Sequence, residues 1–363
     1  MARPIIRSAS ARKPIGLALQ GGGSWGAYTW GVLDALLASR SITIAQLSGT
    51  SAGAINAAIV AGALAKGSTA QARHALRSFW LSIAAPDAPE VVRSFFGPLE
   101  RHWRNSMNDW LLASGLISPY SATTLGVHPL REAIAAHVDI DAIRSKSAPA
   151  LFVAVTNVKT GLPRVISNRD ISIDTLLASA SLPELFAAVE IDGEHYWDGG
   201  YGGNPTLWPM IDSGFGDDLI IVQLLPDRID DLPTNARSIR RRVGEIVFHS
   251  SLVAEMQAIH AMRNFTDAPT RLAELRFHRI GPPRLALFDE GNAIERDRAW
   301  LELLHTEGAA AGRQFIARHG EDIGVRETLD VGGVYFDSRK PKLQMPASNP
   351  RLNVNVTALP QAA

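Results

Sequence analysis

A serine flanked by small residues separates a short apolar run from a segment with helical spacing. The pentapeptide Gly49-Thr50-Ser51-Ala52-Gly53 has the pattern G-x-S-x-G. Such glycines let the backbone reverse tightly and would leave the Ser51 hydroxyl exposed at the tip of a turn. The start of a helix also offers free backbone N–H groups that favour developing negative charge. The pattern predicts that Ser51 is a nucleophile and that Gly49, Thr50, Ala52 and Gly53 form its elbow.

A glycine-rich turn precedes this serine and follows an apolar run at 15–20. The glycines that fit G-x-G-x-x-G are Gly21, Gly22, Gly23 and Gly26. A dinucleotide-binding turn would require an acidic residue about 20 positions later to bind the ribose, but residues 46–48 are Gln-Leu-Ser. Alternatively, the turn forms an oxyanion hole, because neighbouring parallel strands would bring Gly22 and Gly23 close to Ser51. That geometry favours acyl transfer over nucleotide binding.

The base for such a nucleophile has to come from another part of the chain. Five histidines follow late enough for the order Ser, Asp, His of an α/β-hydrolase, namely His249, His260, His278, His305 and His319. They fall in segments with helix or strand patterns, which favours structural roles. Asp198 instead ends an aromatic strand, in a turn that continues with Gly199 and Gly200. Taken alone, that segment is equally compatible with a structural turn aspartate.

In their order along the chain, these three segments resemble the patatin-like phospholipases, which use a Ser–Asp dyad. The resemblance covers residues 14–205 and includes further similar segments at 151–157 and 178–186. It implies that Ser51 is the nucleophile and Asp198 the base. It also implies an oxyanion hole formed by Gly21, Gly22, Gly23 and Gly26. The reaction that it implies needs neither a metal ion nor another cofactor.

One residue of the glycine turn departs from the family pattern. Family members often have a basic residue where this chain has Trp25. The departure weakens the expectation of a phospholipid more than the expectation of ester hydrolysis. The implied substrates are carboxylic esters of lipids, either phospholipid, lysophospholipid or acylglycerol. An intracellular polyester such as a polyhydroxyalkanoate, and non-catalytic lipid binding, are the alternatives.

Composition excludes several other classes of protein. The 36 basic residues balance 36 acidic residues, which argues against nucleic-acid binding. The chain has no cysteine, hence no disulfide and no thiolate zinc site, and it has no H-E-x-x-H sequence. It also has neither the long apolar segment of a membrane-spanning helix nor the apolar core of a signal peptide. We expect a cytoplasmic protein, with peripheral contact to a membrane or lipid body left open.

The order of apolar runs and helical patterns predicts an α/β fold of three layers, α/β/α, around a mostly parallel central sheet. Strands at 15–20 and 42–47 are each followed by a helix, at 25–38 and 52–66. The later predicted strands are 150–157, 189–192, 195–197, 218–225 and 275–280. The later predicted helices are 173–180, 237–262 and 299–319.

The predicted domain organisation centres on a catalytic domain at 14–213. Within it, residues 84–129 are rich in aromatic residues and interrupted by prolines, so they form either an irregular packed cap or an apolar lid. The flanking parts are a basic arm at 1–13, a strand and helices at 214–323 that pack on the same core, and an extended or partly disordered tail at 324–363.

Overall fold

A computed structural model describes residues 12–84, 120, 129–265, 270–284, 287 and 295–336. In this part of the chain, eight strands form one sheet and helices cover both of its faces. The predicted α/β class is confirmed. The N-terminal arm up to residue 11 and nearly all of the predicted cap at 84–129 lie outside the described residues.

The central strands of the sheet run parallel. The strands are β1 (Lys13–Leu19), β2 (Ile42–Gly49), β3 (Ala150–Asn157), β4 (Pro163–Ser167), β5 (Val189–Ile191), β6 (Glu194–Asp198), β7 (Asp218–Val222) and β8 (Arg276–Ile280). Their order is β5-β6-β3-β2-β1-β7-β8, and β4 pairs with β3. The pairs β3/β2, β2/β1, β1/β7 and β7/β8 are parallel, whereas β6 runs antiparallel to β3.

Helices connect the strands and form the two outer layers. They are α1 (Gly26–Ala38), α2 (Ala52–Ala65), α3 (Thr69–Ser82), α4 (Pro129–His137), α5 (Ile140–Arg144), α6 (Ile173–Ser179), α7 (Trp208–Ser213), α8 (Ala236–Arg263), α9 (Thr270–Glu274), α10 (Arg298–His319) and α11 (Val331–Tyr335). Short 3-10 turns at Gly23–Trp25 and Gly199–Tyr201 follow β1 and β6. No helix in the described part of the chain is long and apolar enough to cross a bilayer.

Alternate residues of β1 enter two different apolar clusters, as expected for a strand buried on both faces. Leu17 and Leu19 pack in a cluster that includes residues of α1, α2, α3 and α10. Ala18, between them, packs in the opposite cluster with residues of α7, α8 and α11. The sheet is therefore the middle layer of three.

The predicted strands and helices are present, with ends that differ by no more than three residues. The structure adds elements that the patterns did not indicate, namely the strand β4 and the helices α3, α4, α5, α7 and α9. It also adds α11 in the described part of the segment expected to be an extended tail. Val331 and Tyr335 of α11 are buried in the cluster beside α8, so this part of the tail packs on the body of the protein.

Candidate active site

Ser51 lies in the turn between β2 and α2 and has a backbone conformation that residues other than glycine rarely adopt. Its φ is 54° and its ψ is −128°. The turn is tight, because a β-carbon at Gly53 would overlap with the carbonyl oxygen of Leu19. A β-carbon at Gly49 would lie 2.6 Å from the carbonyl oxygen of Gly53. The two glycines of the G-x-S-x-G pattern thus permit the strained turn that carries Ser51.

The expected exposure of Ser51 differs from what the structure shows, since the residue is only 8% exposed. Ser179, at the end of α6, accepts a hydrogen bond from the Ser51 N–H at 2.9 Å. The Ser179 hydroxyl in turn donates to the carbonyl of Ala154 at 2.8 Å. On the other side, the glycine turn comes so close that a β-carbon at Gly21 would lie 2.7 Å from the β-carbon of Ser51. These neighbours cover the serine and fix its backbone.

Asp198 ends β6, and hydrogen bonds hold its backbone on both sides. Its N–H donates to the carbonyl of Ser181 at 2.9 Å, and its carbonyl accepts from the Thr156 hydroxyl at 2.8 Å. The side chain is fully buried. Oδ1 accepts the N–H of Gly200 at 2.7 Å, whereas Oδ2 has no hydrogen-bond partner among the described residues. One carboxylate oxygen therefore remains available for a proton.

Burial raises the pKa of Asp198 to about 7. The hydrogen bond from the Gly200 N–H and the nearby Ser51 hydroxyl act in the opposite direction and lower this pKa, but less strongly. A carboxylate with a pKa near 7 is a much better base at neutral pH than an ordinary aspartate with a pKa of about 3.9. The environment of Asp198 thus suits the removal of a proton from a hydroxyl.

The four glycines predicted for the oxyanion hole differ in whether their N–H groups already donate a hydrogen bond. Gly21 N–H donates to Asn204 Oδ1 at 2.6 Å, and Gly26 N–H donates to the carbonyls of Gly23 and Ser24. Within the described part of the chain, the N–H groups of Gly22 and Gly23 have no acceptor. Gly21 and Gly26 therefore shape the turn, and Gly22 and Gly23 are the candidate donors to an oxyanion.

Asn204 connects the glycine turn to the loop that follows Asp198 through hydrogen bonds. Asn204 was not identified from the sequence. Besides binding Gly21, its side-chain amide donates to the carbonyl of Phe248 at 3.0 Å. The same loop binds the nucleophile turn, because the Thr50 hydroxyl donates to the carbonyl of Gly203 at 2.7 Å. The available signal was an Asn-Pro pair shortly after the Asp-Gly-Gly turn.

Trp25, which replaces the basic residue found in many family members, is part of the core. It is 4% exposed, and its ring packs edge-to-face against Trp300 at a centroid distance of 5.3 Å. The Trp25 side chain thus occupies space between α1 and α10.

The histidines interact with other groups and not with the site. Among the described residues, none of the five forms a hydrogen bond with Ser51 or Asp198. Their polar or aromatic partners include Gln20 and Asp227 for His249, Phe336 for His260, Asp218 and Thr328 for His278, Trp30 and Asp34 for His305, and Asp322 for His319. No group of three metal-binding side chains occurs in the described ranges.

Known proteins similar to this chain include a protein family and several solved structures. A family model described as patatin-like phospholipase matches residues 17–211, more than half of the chain. No curated protein sequence matches. Among solved structures, VipD from Legionella pneumophila is similar at a TM-score of 0.42 and 14% identity, over 87% of this chain and 68% of VipD. The type III effector protein ExoU is similar at a TM-score of 0.31 and 16% identity, over 86% of this chain and 54% of ExoU. On the family match, the chain belongs to the patatin-like phospholipases.

Proposed function

We propose that this protein is a serine hydrolase that cleaves carboxylic esters of lipids through a dyad of Ser51 and Asp198. Family membership supports lipid acyl hydrolysis in general. The observation that carries the specific proposal is the pairing of two unusual residues at one edge of the sheet. Ser51 has a strained backbone at the tip of its turn, and the nearby Asp198 is a buried carboxylate with one unpartnered oxygen.

The reaction follows from the arrangement of these groups. Asp198 takes the proton of the Ser51 hydroxyl as the oxygen attacks the ester carbonyl. The N–H groups of Gly22 and Gly23 bind the oxyanion of the tetrahedral intermediate. Collapse of the intermediate transfers the proton to the departing alcohol and leaves an acyl-serine. Asp198 then takes a proton from water as the water oxygen attacks the acyl-serine. Collapse of this second tetrahedral intermediate releases the fatty acid, and Asp198 returns the proton to Ser51 Oγ.

The proposed substrate class is inferred from the family. The proposed reaction is inferred from the arrangement of the candidate site. Phospholipid, lysophospholipid and acylglycerol all present the same acyl ester to the dyad. A polyhydroxyalkanoate presents it too, so this polyester is the alternative substrate. Because such substrates are insoluble, contact with a membrane or lipid particle would be peripheral and part of the same proposal. The position of Trp25 in the core leaves phosphate recognition, if it occurs, to other residues.

The proposal is tested by hydrolysis of p-nitrophenyl esters of graded chain length. Wild type is compared with Ser51→Ala and Asp198→Asn, and a fluorophosphonate probe reports the reactive serine. We expect Ser51→Ala to lose turnover and labelling together. Asp198→Asn should lose at least 10³-fold in kcat, because an amide cannot accept the serine proton.

Two matched variants control for unspecific damage. Ser213→Ala removes a hydroxyl that binds Gln46 and lies outside the site, and Asp192→Asn changes an exposed carboxylate in the turn before β6. Both should keep wild-type activity. Turnover retained by Ser51→Ala would refute the dyad. A folded wild type that neither labels nor turns over would favour non-catalytic lipid binding instead. Phosphatidylcholine vesicles, triacylglycerol emulsions and polyhydroxybutyrate granules then discriminate among the ester substrates.

A further inference from the structure

A chain of hydrogen bonds connects His249 of α8 to the glycine turn. His249 Nδ1 lies 3.2 Å from Gln20 Nε2, and His249 Nε2 lies 3.2 Å from Asp227 Oδ1. Gln20 is fully buried and immediately precedes Gly21. His249 thus contacts the residue that directly precedes the turn that would bind an oxyanion.

Backbone contacts determine which atom donates and which accepts in each of these hydrogen bonds. Gln20 Oε1 accepts the N–H groups of Leu224 and Leu225, each at 2.8 Å, so its amide cannot be reversed. Gln20 Nε2 therefore donates to His249, and Nδ1 of the imidazole must be the acceptor. The proton of the neutral ring then lies on Nε2 and is donated to Asp227.

Asp227 is itself held from two strands. Arg279 of β8 binds Asp227 Oδ2 at 2.6 Å, and Gln223, which follows β7, donates to Oδ1 at 2.8 Å. His249 therefore has a rigid anchor on one side and the Gln20 amide on the other.

The side-chain amide of Gln20 also contacts the loop that holds the glycine turn. Gln20 Nε2 also donates to the carbonyl of Asn204 at 3.3 Å, and Asn204 Oδ1 accepts the N–H of Gly21 at 2.6 Å. Movement of the Gln20 side chain would release the Asn204 backbone and the start of the glycine turn together. The directions of the Gly22 and Gly23 N–H groups depend on both.

We infer that His249 is a positioning residue for the oxyanion hole. It touches neither Ser51 nor Asp198 and acts through Gln20 and Asn204. The inference rests on the proposed function, because it assigns a role within that reaction. An oxyanion exists only in the tetrahedral state, so a misaligned turn should lower kcat and leave KM unchanged.

The test compares two substitutions of the histidine with p-nitrophenyl ester kinetics. His249→Phe keeps a ring of similar size and removes the acceptor, and we expect a 10- to 100-fold loss of kcat with KM within twofold. His249→Asn offers an amide oxygen near the position of Nδ1 and should recover most of the loss. His278→Phe is the matched control, since His278 is also buried and binds Asp218 and Thr328 away from the site. It should be less stable than wild type but have the same kcat.

Amide hydrogen exchange at residues 20–23 gives a readout that does not depend on activity. We expect faster exchange of the Gly21 amide in His249→Phe than in wild type or His249→Asn. Equal kcat losses in His249→Phe and His249→Asn, a change confined to KM, or unchanged exchange would each overturn the inference. If wild type shows neither turnover nor labelling, the proposed function fails. The exchange result then decides alone whether His249 fixes the turn.

Discussion

At the scale of single residues, the unpartnered oxygen of Asp198 links the proposed catalytic role of this residue to the stability of the protein. A buried polar atom without a hydrogen-bond partner costs free energy, and a buried charge costs more. The protein holds such a group between β6 and the Gly199–Tyr201 turn. The cost appears as a raised pKa, and the same shift makes the carboxylate a useful base.

The first prediction concerns the pH dependence of the reaction. Only ionised Asp198 can accept the serine proton, so kcat/KM should increase with pH, with a midpoint of about 7, and reach a plateau above it. Initial rates with a soluble ester, whose own hydrolysis is subtracted, would measure the profile. A profile that is flat between pH 5 and 9 would contradict the role of Asp198 as the base.

The second prediction concerns the free energy of unfolding. The pKa of Asp198 increases from 3.8 in the unfolded chain to about 7 in the folded one, so the native state retains the proton more strongly. Its contribution to stability is present in full below pH 4 and is lost as the pH rises to 7. Asp198→Asn, which cannot ionise, should therefore be more stable than wild type at pH 8, by up to about 4 kcal/mol. The difference should shrink to less than half at pH 5. Urea denaturation at both pH values measures it, and equal stability at pH 8 would refute it.

Residue types and local spacing indicated Ser51 as a candidate nucleophile. Asp198 was assigned as the base only through the resemblance to a known family, because its own segment is equally compatible with a structural turn aspartate. Which glycine N–H groups are free to bind an oxyanion could not be predicted in the same way. Gly21 N–H is occupied because Asn204, 183 positions away, lies against it. Such a pairing depends on which loops the sheet brings together, and a single sequence does not contain that information in any local pattern.

At the scale of elements, the elbow depends on the close approach of β1, β2 and α2. A β-carbon at Gly53 would overlap with the carbonyl of Leu19 in β1. The overlap involves backbone atoms, which cannot turn aside as a side chain can. The glycine is therefore required by packing between elements as much as by the turn itself.

The third prediction compares two glycine-to-alanine substitutions. Gly53→Ala should destabilise the protein by about 3 kcal/mol or more and abolish activity, because strand β1 and helix α2 must separate. Gly244→Ala, in α8, meets no atom within 4 Å and should instead stabilise the protein by about 0.5–1 kcal/mol with unchanged activity. Thermal unfolding and ester turnover of both variants test the pair. A stable, active Gly53→Ala would contradict the packing argument.

Local patterns predicted most of the long elements but missed the 14-residue helix α3 and several short elements. β4 has five residues, of which only Ile166 is buried, so its sequence shows no clear alternation. α11 contains Gly332 and Gly333, which disfavour a helix, and it forms where Val331 and Tyr335 pack beside α8. Tertiary contacts override local propensity in such segments.

At the scale of the whole molecule, residues beyond the family match complete the sheet and support the candidate site. The match ends at residue 211, yet β7 pairs with β1 in the middle of the sheet. α8 supports the loop after Asp198 at three points along its length. Phe248 accepts from the Asn204 side chain, Ser251 accepts the Asn204 N–H, and Glu255 accepts the N–H groups of Leu207 and Trp208.

The fourth prediction is that the matched segment does not fold alone. A fragment of residues 12–213 would expose the edge of β1 and the apolar cluster that α8 covers. We expect it to aggregate or to unfold without a cooperative transition, whereas residues 12–336 should unfold cooperatively. Circular dichroism during heating distinguishes the two. A soluble, cooperative and active 12–213 fragment would refute the prediction.

The supports that α8 gives to the loop after Asp198 also limit how modules could be exchanged among relatives. A chimaera joined near residue 214 would take Ser51 and Asp198, the proposed nucleophile and base, from one parent and the helix α8 from another. The joint would separate Asn204 from Phe248 and Ser251, and Gln20 from His249. Both residues of each pair must therefore come from the same parent. A chimaera in which they come from different parents should be inactive.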